Sequence, residues 1–210
     1  MKILALNTAF SNSDVAFVYE QNKAYSSFES CAKHSENILV VIDDLCKTNN
    51  VKIQHFQTLA CVVGPGSFTG VRIGVGVVKG MHMANKNLKL ISMCSLDYMA
   101  YIAKQSAKDC FWCVLNALSG NVFACKYSIS GERLTEPKML LPNEIQTLCG
   151  DVVGLKEEAM ELCTRFVEFN ANNLLEYAMH LEQTNCFVNE SNLLPIYLRK
   201  SQAEVMLDGN

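Results

Sequence analysis

Gly64-Pro65-Gly66-Ser67-Phe68-Thr69-Gly70-Val71-Arg72-Ile73-Gly74 is the stretch that decides the fold class of this chain. Before it, Thr58-Leu59-Ala60-Cys61-Val62-Val63 is a continuous apolar run of strand length. Such a run, ended by Gly-Pro-Gly, predicts a strand buried on both faces of a largely parallel sheet. Gly64 and Gly66 permit a sharp turn, Pro65 stiffens it, and Ser67 or Thr69 can cap the helix that follows over 68–84. Unpaired N–H groups at such a helix start make Gly64, Gly66, Ser67, Thr69 and Gly70 a candidate anion loop. Two readings stay open, a structural turn whose glycines serve packing, or contact with a phosphate or a partner. The segment lacks the Gly-Lys-Ser/Thr of a Walker loop, and Pro65 and Thr69 stand where a nucleophile elbow needs glycines.

Working outward, the order predicted is strand 2–8, strand 14–20, strand 23–29, helix 35–48, strand 58–63, helix 68–84, strand 88–92 and helix 95–106. A meander followed by alternating strands and helices is the order of a mixed sheet covered by helices. Phe111-Trp112-Cys113-Val114-Leu115-Asn116-Ala117 then echoes Lys2-Ile3-Leu4-Ala5-Leu6-Asn7-Thr8, and each is followed by another strand-like run. This degenerate repeat predicts two related halves, the second truncated. Its expected elements are strand 138–141, a short helix after Pro142, strand 151–155, and helices at 156–165 and 171–183. The expected domains are 1–106, with 193–210 packing back on it, and a smaller one over 107–192.

On the helix 68–84, a 100° spacing sets Gly70, Ile73, Gly74, Val77, Met81 and Ala84 on one face. The other side carries Arg72, Lys79 and His82, with Val71, Val75 and Met83 among them. That is more apolar surface than a solvated face needs, which points to a partner surface or a deeply buried helix. The helix from Ser35 reads similarly, because Ile38, Leu39, Val41, Ile42, Leu45 and Cys46 fill an arc wider than one core requires.

The segment Gly64–Gly74, with Lys2–Ala9, His34-Ser35-Glu36 and Pro195-Ile196-Tyr197-Leu198-Arg199, resembles the bacterial TsaB (YeaZ) family. The resemblance implies an α/β actin-like (ASKHA, RNase H-like) fold. It also implies a non-catalytic scaffold, required for threonylcarbamoyladenosine modification of tRNA beside the anticodon. Its implied partners are the transferase TsaD, a larger paralogue, and the ATPase TsaE, with homodimerisation through the same surface when TsaD is absent. The helices 35–48 and 68–84 would form that contact, through Ile38, Val41, Val71, Val75 and Val78, with Arg72, Lys79 and His82 beside them. No cofactor is expected for the chain itself, and ATP or ADP at the junction with the partner stays open.

With 210 residues, 50% of them hydrophobic, the chain has ample material for a core. A net charge of −3 supplies no overall basic footprint, so tRNA is expected to be met through another subunit. No signal-peptide core and no membrane-length apolar run is present, which predicts a cytoplasmic location. Of 10 cysteines, only Cys110 and Cys113 form a C-x-x-C pair, so the thiols read as small core residues and not as a metal cluster.

Actin-like hydrolases place an acid at the end of the first strand of each half, whereas the equivalent positions here are Asn7 and Asn116. An amide is a poor ligand for a hard cation and cannot act as a base at neutral pH, so catalysis by this chain is not expected. An actin-like ATPase or small-molecule kinase using residues 64–70 is the alternative. A glycoprotease-like peptidase is disfavoured, because no His-x-x-x-His pair occurs.

Overall fold

The computed structural model of the chain describes residues 1–29 and 34–198, with backbone alone for 34–37. Two five-stranded sheets are built. The first runs β3-β2-β1-β4-β5, from β1 (Lys2–Asn7), β2 (Asn12–Tyr19), β3 (Asn22–Glu29), β4 (Thr58–Gly64) and β5 (Lys89–Cys94). β1, β2 and β3 form an antiparallel meander, while β4 and β5 lie parallel to β1. The second sheet is β10-β9-β6-β7-β8, from β6 (Phe111–Asn116), β7 (Val122–Tyr127), β8 (Lys138–Leu140), β9 (Asp151–Leu155) and β10 (Arg165–Val167). Here too β6, β7 and β8 form the meander, and β9 and β10 run parallel to β6. Read from the meander edge, the two sheets have one topology. The echo between residues 2–8 and 111–117 is therefore a real duplication of the fold, and an actin-like α/β architecture follows from it.

The segment 156–165 is not the helix its composition predicts. Ala159 takes φ +45°, which ends any helical run, and the Thr164 hydroxyl accepts the N–H of Val152 at 2.9 Å and donates to Asp151 at 2.7 Å. Arg165 then bonds Asp151 at 2.7 Å, so the chain enters β10 and completes the second sheet. Side-chain bonds to a neighbouring strand outweigh weak local helix propensity here. The truncation of the second half falls on its connections: α4 (Pro142–Ile145) is a single turn.

Both faces of the first sheet are covered. α1 (His34–Thr48) and α2 (Phe68–Ala84) lie on the face of Leu4, Leu6, Phe17 and Cys61, and α5 (Ala171–Gln183) lies on the other. That double cover is why β4 is buried along its whole length. α5 packs on β1, β2, β3 and β5, so the compact unit around the first sheet comprises Met1–Tyr98 and Phe169–Pro195, and the second sheet lies in Met99–Glu168. α3 (Ser95–Ala103) follows β5, with a 3-10 turn at Lys104–Ser106. In the first unit, Tyr98 stacks on Phe169 at 4.2 Å and on Tyr177 at 5.7 Å and donates to the Asn170 carbonyl at 3.1 Å. Of the segment 193–210, Leu193 is buried, and everything past residue 198 lies outside the described residues.

Ser67 caps α2 by accepting the N–H of Gly70 at 3.2 Å. A Cβ at Gly70 would fall far inside the contact distance of the Thr8 carbonyl oxygen, a backbone atom that cannot swing aside. Around Gly76 and Gly80, by contrast, a Cβ meets nothing within 4 Å among the described residues. Gly70→Ala is expected to destabilise the chain by about 3 kcal/mol, the upper end for overpacking. Gly76→Ala is expected to stabilise it by about 0.5–1 kcal/mol through helix propensity. Urea unfolding of the two variants checks both.

Candidate functional site: the glycine turn and the outer helix face

The loop from Gly64 to Gly70 spends its polar groups on the turn after β1. Ser67 N–H donates to the Ala9 carbonyl at 2.8 Å, and the Thr8 hydroxyl donates to the Gly70 carbonyl at 2.6 Å. Gly66 and Gly74 face the Ala9 backbone and the Thr8 hydroxyl so closely that an added Cβ would lie 2.6 Å from an oxygen in each case. Two of the loop's N–H donors, those of Ser67 and Gly70, are bonded within the chain, as a packing turn requires. Phe68 and Thr69 face outward, with the Arg72 guanidinium 3.7 Å above the Phe68 ring centroid.

Asn7 is fully buried and equally committed. Its Oδ1 accepts the N–H of Ala9 at 3.1 Å, and its Nδ2 donates to Asp14 at 3.2 Å. The other Asp14 oxygen accepts the Ser27 hydroxyl at 2.6 Å. An amide both accepts and donates, whereas a carboxylate at position 7 would set like charges together in a buried site. The duplication repeats the motif: Asn116 Oδ1 accepts the N–H of Leu118 at 2.8 Å. There the N–H of Asn116 is itself bonded to Glu158 at 2.9 Å. Burial pushes the Glu158 carboxyl above its ordinary pKa, the Asn116 N–H opposes that, and Glu157 adds to it.

Most of the described thiols are withdrawn from solvent, Cys149 and Cys186 being exposed. Cys46, Cys61, Cys94, Cys113 and Cys125 are buried. Burial pushes Cys61 up to about 12, and burial with a nearby acid pushes Cys46 and Cys163 to about 11, so none is a thiolate at neutral pH. Among the described residues no three His, Cys, Asp or Glu side chains come together as a metal site, and no helix is long and apolar enough to cross a membrane.

The helix faces differ from the sequence reading by roughly a quarter turn. Gly70, Val71, Gly74, Val75 and Val78 face inward, with Val71, Val75 and Val78 at 2, 5 and 0% exposure, and Ile38 of α1 is at 1%. Ile38, Val71, Val75 and Val78 are therefore core residues and not the outer surface. The cause is the close approach of Gly70 and Gly74 to Thr8, which rotates α2 onto the sheet. What faces outward on α2 is Arg72, Gly76, Gly80 and Met83, flanked by half-buried Ile73, Val77 and Lys79. Leu39 and Val40 of the neighbouring α1 are both 55% exposed, and Val41 is half-buried. His82 turns away from this face, its Nε2 3.7 Å from Glu190. The signal that was missed lies in the glycines themselves: Gly70 meets the Thr8 backbone and Gly74 the Thr8 and Cys61 side chains, while the later pair meets nothing among the described residues.

The model of the family described as "TsaD: tRNA N6-adenosine threonylcarbamoyltransferase" matches residues 29–160, more than half of the chain. Proteins called "tRNA threonylcarbamoyladenosine biosynthesis protein TsaB" match as well. That of Escherichia coli is 32% identical over 129 residues, 60% of this chain and 55% of its own length. That of Haemophilus influenzae is 32% identical over 103 residues, 49% and 43% of the two chains. The chain belongs to the TsaB (YeaZ) family. It spans about half the length of the curated relatives it matches. The solved structure called "YeaZ from Pseudomonas aeruginosa" shares the fold, with a TM-score of 0.76, 23% identity, and coverage of 94% of this chain and 99% of that one. A second, described as "an uncharacterized protein with similarity to peptidase YEAZ" from the same organism, has a TM-score of 0.77 at the same identity and coverage.

Asn7→Asp is expected to destabilise the fold by about 3 kcal/mol at pH 7, and by less at pH 4, where one carboxyl of the pair keeps its proton. Urea midpoints at the two pH values measure it. Because the folded-state pKa of Glu158 is raised, the unfolded chain releases that proton first, and stability falls as pH rises from about 4.5 through the folded pKa. Glu158→Gln, which can still accept the Asn116 N–H, is expected to flatten that slope in denaturation curves taken between pH 4 and 7.

Proposed function

We propose that this chain is a subunit without chemistry of its own in the synthesis of threonylcarbamoyladenosine on tRNA. It acts by binding and activating the larger transferase paralogue TsaD through the outer face of α1 and α2. The observation that carries this reading is the outward α2 surface, where Gly76 and Gly80 stand one helical turn apart with nothing above them among the described residues. Beside them lie Arg72, Met83 and, on α1, Leu39 and Val40. Glycines in a helix interior cost stability, and here nothing among the described residues needs them. A second helix can approach closely over that pair, as small residues allow at helix crossings. Val41 and Lys79 border the contact, Arg72 fixes its register, and the buried Ile38, Val71, Val75 and Val78 hold the two helices on the sheet.

The absence of own catalysis is supported by Asn7 and Asn116, which occupy the places of the acids, by Asn7 being bonded as an amide on both sides, and by the use of the Ser67 and Gly70 donors within the chain. In this reading TsaE joins the same assembly, ATP or ADP lies at the junction with the transferase, and a second copy occupies the α1–α2 face when the transferase is absent. The reaction places the complex in the cytoplasm, where tRNA is found.

Gly76→Gln combined with Gly80→Gln is expected to leave unfolding midpoints unchanged or raised while reducing capture of the co-expressed transferase at least 100-fold. Val75→Glu is expected to unfold the chain, so it does not test the interface. Undiminished capture by the double variant would remove this face from the account.

A further inference from the structure

The end of the first sheet opposite the glycine turn has a different character from the chain as a whole. β1, β3, β4 and β5 begin there, β2 and α2 end there, and the strand starts and the loop before β4 carry Lys2, Lys23, Lys89 and Lys52. Register sets three of these loops side by side: Gln57 N–H donates to the Lys2 carbonyl at 2.8 Å, Lys89 N–H donates to the Gln57 carbonyl at 2.9 Å, and Lys23 pairs with Val18 one residue from Tyr19. Two of the ammonium groups are held over rings. Lys2 Nζ lies 5.1 Å from the Tyr19 centroid, and Lys89 Nζ lies 4.6 Å from that of Phe187. His55 stacks on Tyr19 at 5.5 Å, next to Lys52.

The remaining exposed positions of these loops are largely amides, among them Asn22, Asn50, Asn87 and Asn185. Of the acids on these loops, Glu190 is ion-paired with Lys86 at 2.5 Å, Glu182 accepts only the neutral Thr58 hydroxyl at 2.6 Å, and Glu20 stands on the β2–β3 turn, so Lys2, Lys23, Lys52, Lys86 and Lys89 outnumber the acids among them. A chain of net charge −3 thus carries a cationic pole, rich in amides and half-buried rings, at one end of its first unit.

We propose that this pole is an RNA-contacting surface, and that it meets the tRNA of the reaction assigned above, on which this inference rests. Spaced ammonium groups neutralise phosphates, amides hydrogen-bond sugar and base edges, and cation-bearing rings supply stacking faces for unpaired bases. The four lysines are not among the residues of the α1–α2 face, although Met83 of that face lies at the same end of α2. An acidic chain can therefore touch RNA directly, in addition to holding the subunit that performs the transfer.

The test is fluorescence anisotropy of a labelled, unmodified tRNA transcript titrated with the full chain, alone and with the transferase bound, from 50 to 200 mM salt. Lys2→Glu, Lys52→Glu and Lys89→Glu combined are expected to weaken binding at least 10-fold at 50 mM. They are also expected to lower the log–log salt slope by about 2–3, one per lost phosphate contact. Lys108→Glu with Lys138→Glu, in the second unit, is expected to change neither. A triple variant equal to wild type in both settings overturns the inference, as does a pole that binds vesicles of anionic phospholipid and not tRNA. Transferase capture is scored in parallel. Capture retained with an indifferent pole sinks only this inference, while tRNA binding through the pole without capture sinks only the proposed function.

Discussion

Everything on the first unit is positioned by the contact between two backbone turns, Thr8–Ala9 after β1 and Gly66–Gly70 at the start of α2. Two hydrogen bonds cross it, Ser67 N–H to the Ala9 carbonyl and the Thr8 hydroxyl to the Gly70 carbonyl. Approach this close is open only to glycine at 66, 70 and 74, because a Cβ at any of the three collides with backbone or hydroxyl oxygen of the turn. Once α2 is drawn onto the sheet there, its rotation is fixed. Val71, Val75 and Val78 must face the core, and Arg72, Gly76 and Gly80 must face away.

The same constraint bears on chemistry. In the turn after the first strand of each half, an asparagine Oδ1 takes the N–H of the residue two further on, Ala9 in the first and Leu118 in the second. A carboxylate could accept that bond too. What disfavours it at position 7 is Asp14, a second buried carboxyl whose Oδ2 accepts the Asn7 amide. An amide at position 7 therefore settles a structural conflict that a second buried carboxyl would create. In the second half, a carboxylate from the chain itself, Glu158, covers the N–H of the corresponding strand end.

Much of this was legible in residues alone. The apolar run 58–63, its Gly-Pro-Gly stop and the echo of residues 2–8 in 111–117 were sufficient for two related α/β halves, because period and punctuation are local signals. Two things were not legible. β10 is held by Thr164 and Arg165 bonding back to Asp151 and Val152, a non-local pairing that no window over 156–167 contains, and the segment's composition favours helix. The outward face of α2 was misplaced because a helical wheel treats Gly70, Gly74, Gly76 and Gly80 alike. Their difference depends on where Thr8 lies, which is tertiary information. The cationic pole was hidden for a related reason: Lys2, Lys23, Lys52 and Lys89 are far apart along the chain, and net charge averages them away.

A division of labour within one unit follows: a turn that fixes the helices, an open glycine pair that admits another helix, and an opposite end suited to a polyanion. Its central claim is that the outer α2 face meets the transferase. The most direct measurement is a photo-crosslinking residue placed at Met83, which is 68% exposed on that face, with the same residue at Leu134 in the second unit as control, in cells that also produce the transferase. The account predicts a crosslink to the transferase from position 83 and none from 134. A crosslink from 134 alone, with 83 silent, would contradict it.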